Sequence, residues 1–164
     1  MCFACDPYPI GYDTAPTREI IIALKEHGNH VQILTKAGLL AWRDFDLLDS
    51  EDWFGVTISA CQQALDALNA EPGAEPIQSR IDSLKTAYAI GIKTWVSCEP
   101  SLDTIMVPEL IRTGDYIDHF KIGKLNYAKS SINEAQFGLE CERLCQVHKR
   151  SYYIKEDLRK VMNV

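Results

Sequence analysis

The chain has 164 residues, 46% hydrophobic and 24% charged, which is enough for a single globular domain over residues 1–164 with a sizeable core. Its net charge of −6 argues against nonspecific binding to nucleic acid. No apolar run approaches the roughly 20 residues that a membrane helix needs, and no basic-then-apolar leader opens the sequence, so no membrane partner and a cytoplasmic location are expected.

Residues 1–5 read as the end of a strand that runs into Asp6-Pro7-Tyr8-Pro9. Pro16 marks a first helical turn, and Ile20, Ile21 and Leu24 supply that helix with an apolar face. Gly28 ends it, and residues 31–35 form the next strand. Another strand is expected over 54–59, followed by a surface loop over 69–76. Pro76 opens a helix whose face is Ile77, Ile81, Leu84 and Tyr88. Gly91 closes it before a strand over 93–98, and Gly114 closes another helical segment before a strand over 119–122. Asn133 and Gln136 resemble a capping box, at the head of a helix with Phe137, Cys141, Leu144, Cys145 and His148 on one face. Residues 152–154 read as a late strand.

Gly28, Gly91 and Gly114 are each expected in the left-handed conformation that ends a helix. The repeated order of helix, glycine and strand means parallel pairing with right-handed crossovers, in a doubly wound sheet or a barrel.

Parallel βα proteins place their active face at the C-terminal ends of the strands. Those ends carry Asp6, Lys36, Ser59, Glu99 and the run Lys121-Ile122-Gly123-Lys124-Leu125-Asn126. Carboxylates and ammonium groups converging there suit a ligand with both charges. No GxGxxG follows a strand and no GxxxxGK[ST] is present, which excludes the common nucleotide cradles. Glu99, Asp6 and Lys121 would be the acid–base groups of a small independent enzyme, but no paired base and nucleophile can be named.

The six cysteines, without a secretory leader, are expected to be reduced. Cys141, Cys145 and His148 follow the period of one helix face, which points them at a core rather than at a metal. Cys2 and Cys5 form a lone CxxC. A structural zinc site needs a second pair, and a redox pair needs a helix start, which Asp-Pro-Tyr-Pro is not.

The segments CDPYPIGYDTAPTREII, HVQILTKAGLLAWRDFDLL, WFGVTIS, GIKTWVSCEP, DHFKIGKLNY and YYIKEDL together resemble the radical S-adenosylmethionine superfamily. The matching branch is that of spore photoproduct lyase and DNA repair photolyase-related proteins. The resemblance implies an α/β fold, a partial parallel (β/α) barrel, with a CxxxCxxC loop holding a [4Fe-4S] cluster that chelates S-adenosylmethionine. In the family the DPYP segment ends the second strand. Here it lies at residues 6–9, so the first strand, the cluster loop and the first helix are expected to be missing. Cys141, Cys145 and His148 reproduce the cluster spacing only with histidine in the third place.

By the same resemblance, Asp6 lies near the methionine amino group, Lys36 near its carboxylate and Ser59 near the ribose. Glu99 lines the site, and Lys121 to Gly123 meet the adenine. The implied function is that of a fragment or split half of a radical S-adenosylmethionine protein, with weak cofactor binding and no catalysis alone. The alternative is a noncatalytic module that binds a small molecule or a protein. A partner chain bearing the cluster motif, or a homodimer through the N-terminal edge, is the expected association.

Overall fold

The structure is a computed structural model and describes residues 5–163. The expected first strand therefore lies, except for Cys5, outside the described residues. Five strands follow one another in a sheet of order β1-β2-β3-β4-β5: β1 (Gln32–Thr35), β2 (Trp53–Thr57), β3 (Lys93–Cys98), β4 (His119–Ile122) and β5 (Tyr152–Ile154). The chain divides into two compact units. One holds the chain up to Thr57 with Pro72–Trp95, and the other holds Ile58–Glu71 with the chain from Val96 onward.

In the first unit, α1 (Ala15–Glu26) starts with Pro16 in its first turn and ends at Gly28, whose φ of 72° is the expected left-handed stop. Its apolar face differs from the expected one. Ile21 and Thr17 are buried, whereas Ile20 is 49% exposed. β1 and β2 pair in parallel, with Ile33 opposite Phe54 and Thr35 opposite Val56. Between them runs a 3₁₀ segment, Gly38–Leu47, for which the sequence offered no periodic signal.

The helix α3 (Ile77–Ala89) also sits rotated from its expected face. It buries Ile77, Arg80, Leu84 and Ala87, while Ile81 is half-buried and Tyr88 exposed. Arg80 sets this rotation: its Nε donates to the Glu75 carbonyl at 2.9 Å, and its Nη1 donates to the Thr57 carbonyl at 2.8 Å. Gly55 leaves space for Trp95, whose indole N–H donates to the Ile33 carbonyl at 3.1 Å. Gly91, with φ of 87°, ends α3 as expected.

In the second unit the strand expected over 54–59 leaves the ladder early. The Ile58 N–H still donates to Ser97 O at 3.0 Å, but the Ser59 carbonyl turns to accept from Leu102 N–H at 2.8 Å. A short α2 (Gln62–Ala67) follows. The helix α4 (Met106–Thr113) ends at Gly114, which is not left-handed: its φ is −85°. Space is what requires glycine there, since a Cβ would stand 2.6 Å from Leu110 O and 2.7 Å from Ile117 Cδ1.

The strands β4 and β5 pair in parallel, Phe120 opposite Tyr152 and Ile122 opposite Ile154. The helix α5 (Glu134–Val147) is capped as expected, with Asn133 Oδ1 accepting the Gln136 N–H at 3.1 Å. It buries Phe137, Cys141, Leu144 and Cys145, whereas His148 is its exposed C-cap and does not share that face. The last helix, α6 (Glu156–Met162), lies so close to α5 that a Cβ on Gly138 would meet Met162 Sδ at 2.6 Å.

Candidate functional site

The first unit carries Asp6 and Lys36. Asp6 laces the segment before α1 to the C-terminal end of β1. Its Oδ1 accepts from Tyr8 N–H at 2.9 Å and from the Thr35 hydroxyl at 2.6 Å, and its Oδ2 accepts from Lys36 N–H at 2.7 Å. The Thr17 hydroxyl adds a 2.6 Å bond to the Pro7 carbonyl. Lys36 is half-buried, and its carbonyl accepts from Glu75 N–H at 2.9 Å. The carboxylate that the sequence marked as a ligand group is therefore already serving as a backbone brace.

Beneath this corner Tyr8 is fully buried. Burial first, and then the negative charge of Asp44, pushes its hydroxyl far above the ordinary tyrosine range. Among the described residues, neither Tyr8 Oη nor Asp44 Oδ2 has a hydrogen bond. The other oxygen of Asp44 is paired with Arg18 at 3.1 Å and Arg43 at 3.2 Å.

The second unit carries Ser59, Glu99, Lys121 and Gly123. Glu99 leaves the C-terminal end of β3 and Gly123 that of β4. Lys155, the first residue after β5, forms an ion pair with Glu99. That pair passes over Gly123, where a Cβ would lie 2.9 Å from the Glu99 carboxyl carbon. Glycine is needed at this position so that a carboxylate from one strand end can reach an ammonium two strands away.

The backbone of Gly123 is tied down on both sides. Its N–H donates to Cys98 O at 3.1 Å. The buried Ser101 hydroxyl is shared between the carbonyls of Cys98 and Gly123, at 3.0 and 3.1 Å. Ser59 is buried and donates to Glu71 Oε1 at 2.8 Å. Lys121 is half-buried in β4 itself, one position short of the strand end.

The structure brings Glu99 and Gly123 together, and the partner of Glu99 is Lys155, which is not among the residues expected from the sequence. The signal was present: the late strand over 152–154 ends at this lysine, and the rule applied to the other strands selects it. Ser101 and Glu71 gave no signal, because they lie in loops and reach the strand ends through the fold.

A cluster of iron and sulfide requires thiolates. Cys98, Cys141 and Cys145 are buried. Burial is the main cause that lifts all three thiols, Cys98 and Cys141 far upward and Cys145 to about 12, so they are protonated at neutral pH. No group of three or more His, Cys, Asp or Glu among the described residues is placed to hold a metal ion. These residues do not fit a [4Fe-4S] cluster.

No family model and no curated protein matches the sequence. Solved structures do. SuiB of Streptococcus suis bound to S-adenosylmethionine aligns at a TM-score of 0.65 and 16% identity, over 92% of this chain and 37% of SuiB. SuiB bound to its precursor peptide SuiA aligns at 0.67 and 16%, over 96% of this chain and 38% of SuiB. A domain of pyruvate-formate lyase-activating enzyme from Bacteroides vulgatus aligns at 0.63 and 8%, over 86% of this chain and 90% of that domain.

The likeness is one of fold. The chain shares with these neighbours the expected α/β fold, a partial parallel βα barrel. It spans little more than a third of the length of SuiB. Among the described residues no helix is long and apolar enough to cross a membrane.

Proposed function

We propose that this chain is a portion of a radical S-adenosylmethionine barrel that offers a binding rim for the cofactor and relies on thiolates from elsewhere for the cluster. The observation that carries this reading is the Glu99–Lys155 pair over Gly123 at the ends of three successive strands. Parallel βα folds bind ligands at that place. The likeness of fold to SuiB, solved with S-adenosylmethionine, supports the choice of ligand. Glu99 offers a carboxylate to the ligand's ammonium, and Lys155 offers an ammonium to its carboxylate. Without the chelating iron the affinity is weak, and the chain alone makes no radical. Within the superfamily, the segments around Asp6-Pro7-Tyr8-Pro9 favour the spore photoproduct lyase-related branch, and a partner chain bearing CxxxCxxC would complete the centre.

Isothermal titration with S-adenosylmethionine tests the rim. Binding in the high micromolar range or weaker is expected, lost in Lys155→Met and in Gly123→Ala, whose methyl displaces the Glu99 side chain. Absence of binding heat in the wild type, or binding indifferent to both changes, would sink this reading.

A second reading is a noncatalytic module. It is favoured by the internal engagement of Ser59 with Glu71 and of Asp6 with Tyr8, Thr35 and Lys36. Binding of another zwitterion, with none of S-adenosylmethionine, would support it.

A further inference from the structure

The loop that leaves β4 is pinned at its base and bare at its tip. Lys124 Nζ lies 3.5 Å from the Glu134 carboxylate and donates to Leu125 O at 2.9 Å. The Leu125 N–H donates to the same carboxylate at 3.2 Å. Glu134 is the first residue of α5, so the base of the loop is closed by one acidic side chain. The tip carries Tyr127, fully exposed and with φ of 62°.

A bulky residue with positive φ is an outlier, and such conformations persist at clamps and switch regions. The backbone at Tyr127 is strained, and its ring gains no burial in return. Residues 124–131 hold two lysines, Lys124 and Lys129, and no acidic residue, within a chain of net charge −6. The loop therefore carries an aromatic face and positive charge, and it starts at the glycine of the strand-end site. Tyr127 lies four positions beyond Gly123, a reach of roughly 13 Å when extended.

We infer that residues 124–131 form a lid, and that Tyr127 closes over the ligand held at the ends of β3, β4 and β5. The inference rests on the proposed rim and takes its ligand from it. Lys124 and Glu134 form the hinge. Tyr127 covers the purine ring, the flat part of S-adenosylmethionine that Glu99 and Lys155 leave untouched, while Lys129 faces its carboxylate end.

Three measurements on the whole chain test this. Hydrogen exchange at amides 125–131 is expected to slow when S-adenosylmethionine is added. Tyr127→Ala is expected to raise the dissociation constant about tenfold, the usual scale of base–aromatic stacking, while Tyr127→Phe keeps wild-type affinity. Methionine, which lacks the purine, should bind the Tyr127→Ala variant and the wild type equally. If S-adenosylmethionine binds but the loop exchanges as before and Tyr127→Ala binds like the wild type, the lid is wrong and the rim survives. If no binding heat is seen for any chain, rim and lid fall together. A lower melting temperature for Tyr127→Ala would make the ring a structural group and overturn the lid as well.

Discussion

Arg80 shows where reading single positions stops. Apolar periodicity assigns an arginine to the solvent face and points to a face through Ile81 and Tyr88. The folded helix instead turns Arg80 inward, 2% exposed, to donate to the carbonyls of Glu75 and Thr57. Nothing in residues 76–89 announces those acceptors, because Thr57 lies at the end of β2, 23 positions away. Arg80→Leu should therefore destabilise the chain by about 2–4 kcal/mol, since it strands buried carbonyls as well as removing charged hydrogen bonds. Urea denaturation checks this, and a loss below about 0.5 kcal/mol, the range of an ordinary surface change, would mean that water reaches those carbonyls. Gly123 stood in the sequence only as part of the run after its strand; the close approach of the Glu99 side chain that requires a glycine there comes from the fold.

Elements with local signals were legible, and those held by distant contacts were not. The bounds of β3, β4 and β5 follow from their β-branched and aromatic runs, and α5 from its cap. The 3₁₀ segment Gly38–Leu47 is held from outside. Leu39 N–H donates to Glu75 Oε2 at 2.8 Å, and Arg18 of α1 binds Asp46 at 2.6 Å. Just beyond it, Lys25 binds Asp49 at 2.6 Å, and the Arg159 guanidinium of α6 binds Glu142 of α5 at 2.7 Å.

These carboxylates titrate low because a cation donates to each: Arg18 to Asp46, Lys25 to Asp49 and Arg159 to Glu142. A depressed carboxylate stabilises the fold above its unfolded value, 3.8 for Asp and 4.5 for Glu, and loses that contribution as pH falls through the lower folded value. The urea midpoint should accordingly be flat above about pH 5 with respect to these groups and fall below about pH 4. Arg159→Gln should make that acid fall shallower. An unchanged acid limb in this variant would show that the pair with Glu142 is fully screened by solvent.

At the scale of the whole molecule, the cysteines decide whether the chain can host a cluster unaided. A fold may match while its chemistry lies elsewhere, and the described thiols divide into two kinds. Cys98, Cys141 and Cys145 are buried, and their pKa values are raised chiefly by burial. Cys5 is exposed and Cys61 half-buried. Ligation of iron needs the deprotonated sulfur, and raising a thiol from 9.0 to about 12, as at Cys145, leaves about one thiolate in 100,000 at pH 7. A helix face that packs Cys141 and Cys145 beside Phe137 and Leu144 would have to unfold before it could wrap a cluster. Two outcomes are expected. Ellman's reagent should label Cys5 and Cys61 within minutes in the native chain and reach Cys98, Cys141 and Cys145 only in denaturant, read by mass spectrometry of peptides. Anaerobic reconstitution with iron and sulfide should give no four-iron species by metal analysis and absorbance near 400 nm. Four irons per chain, abolished by replacing Cys141 and Cys145 with alanine, would instead show that α5 opens to build the site.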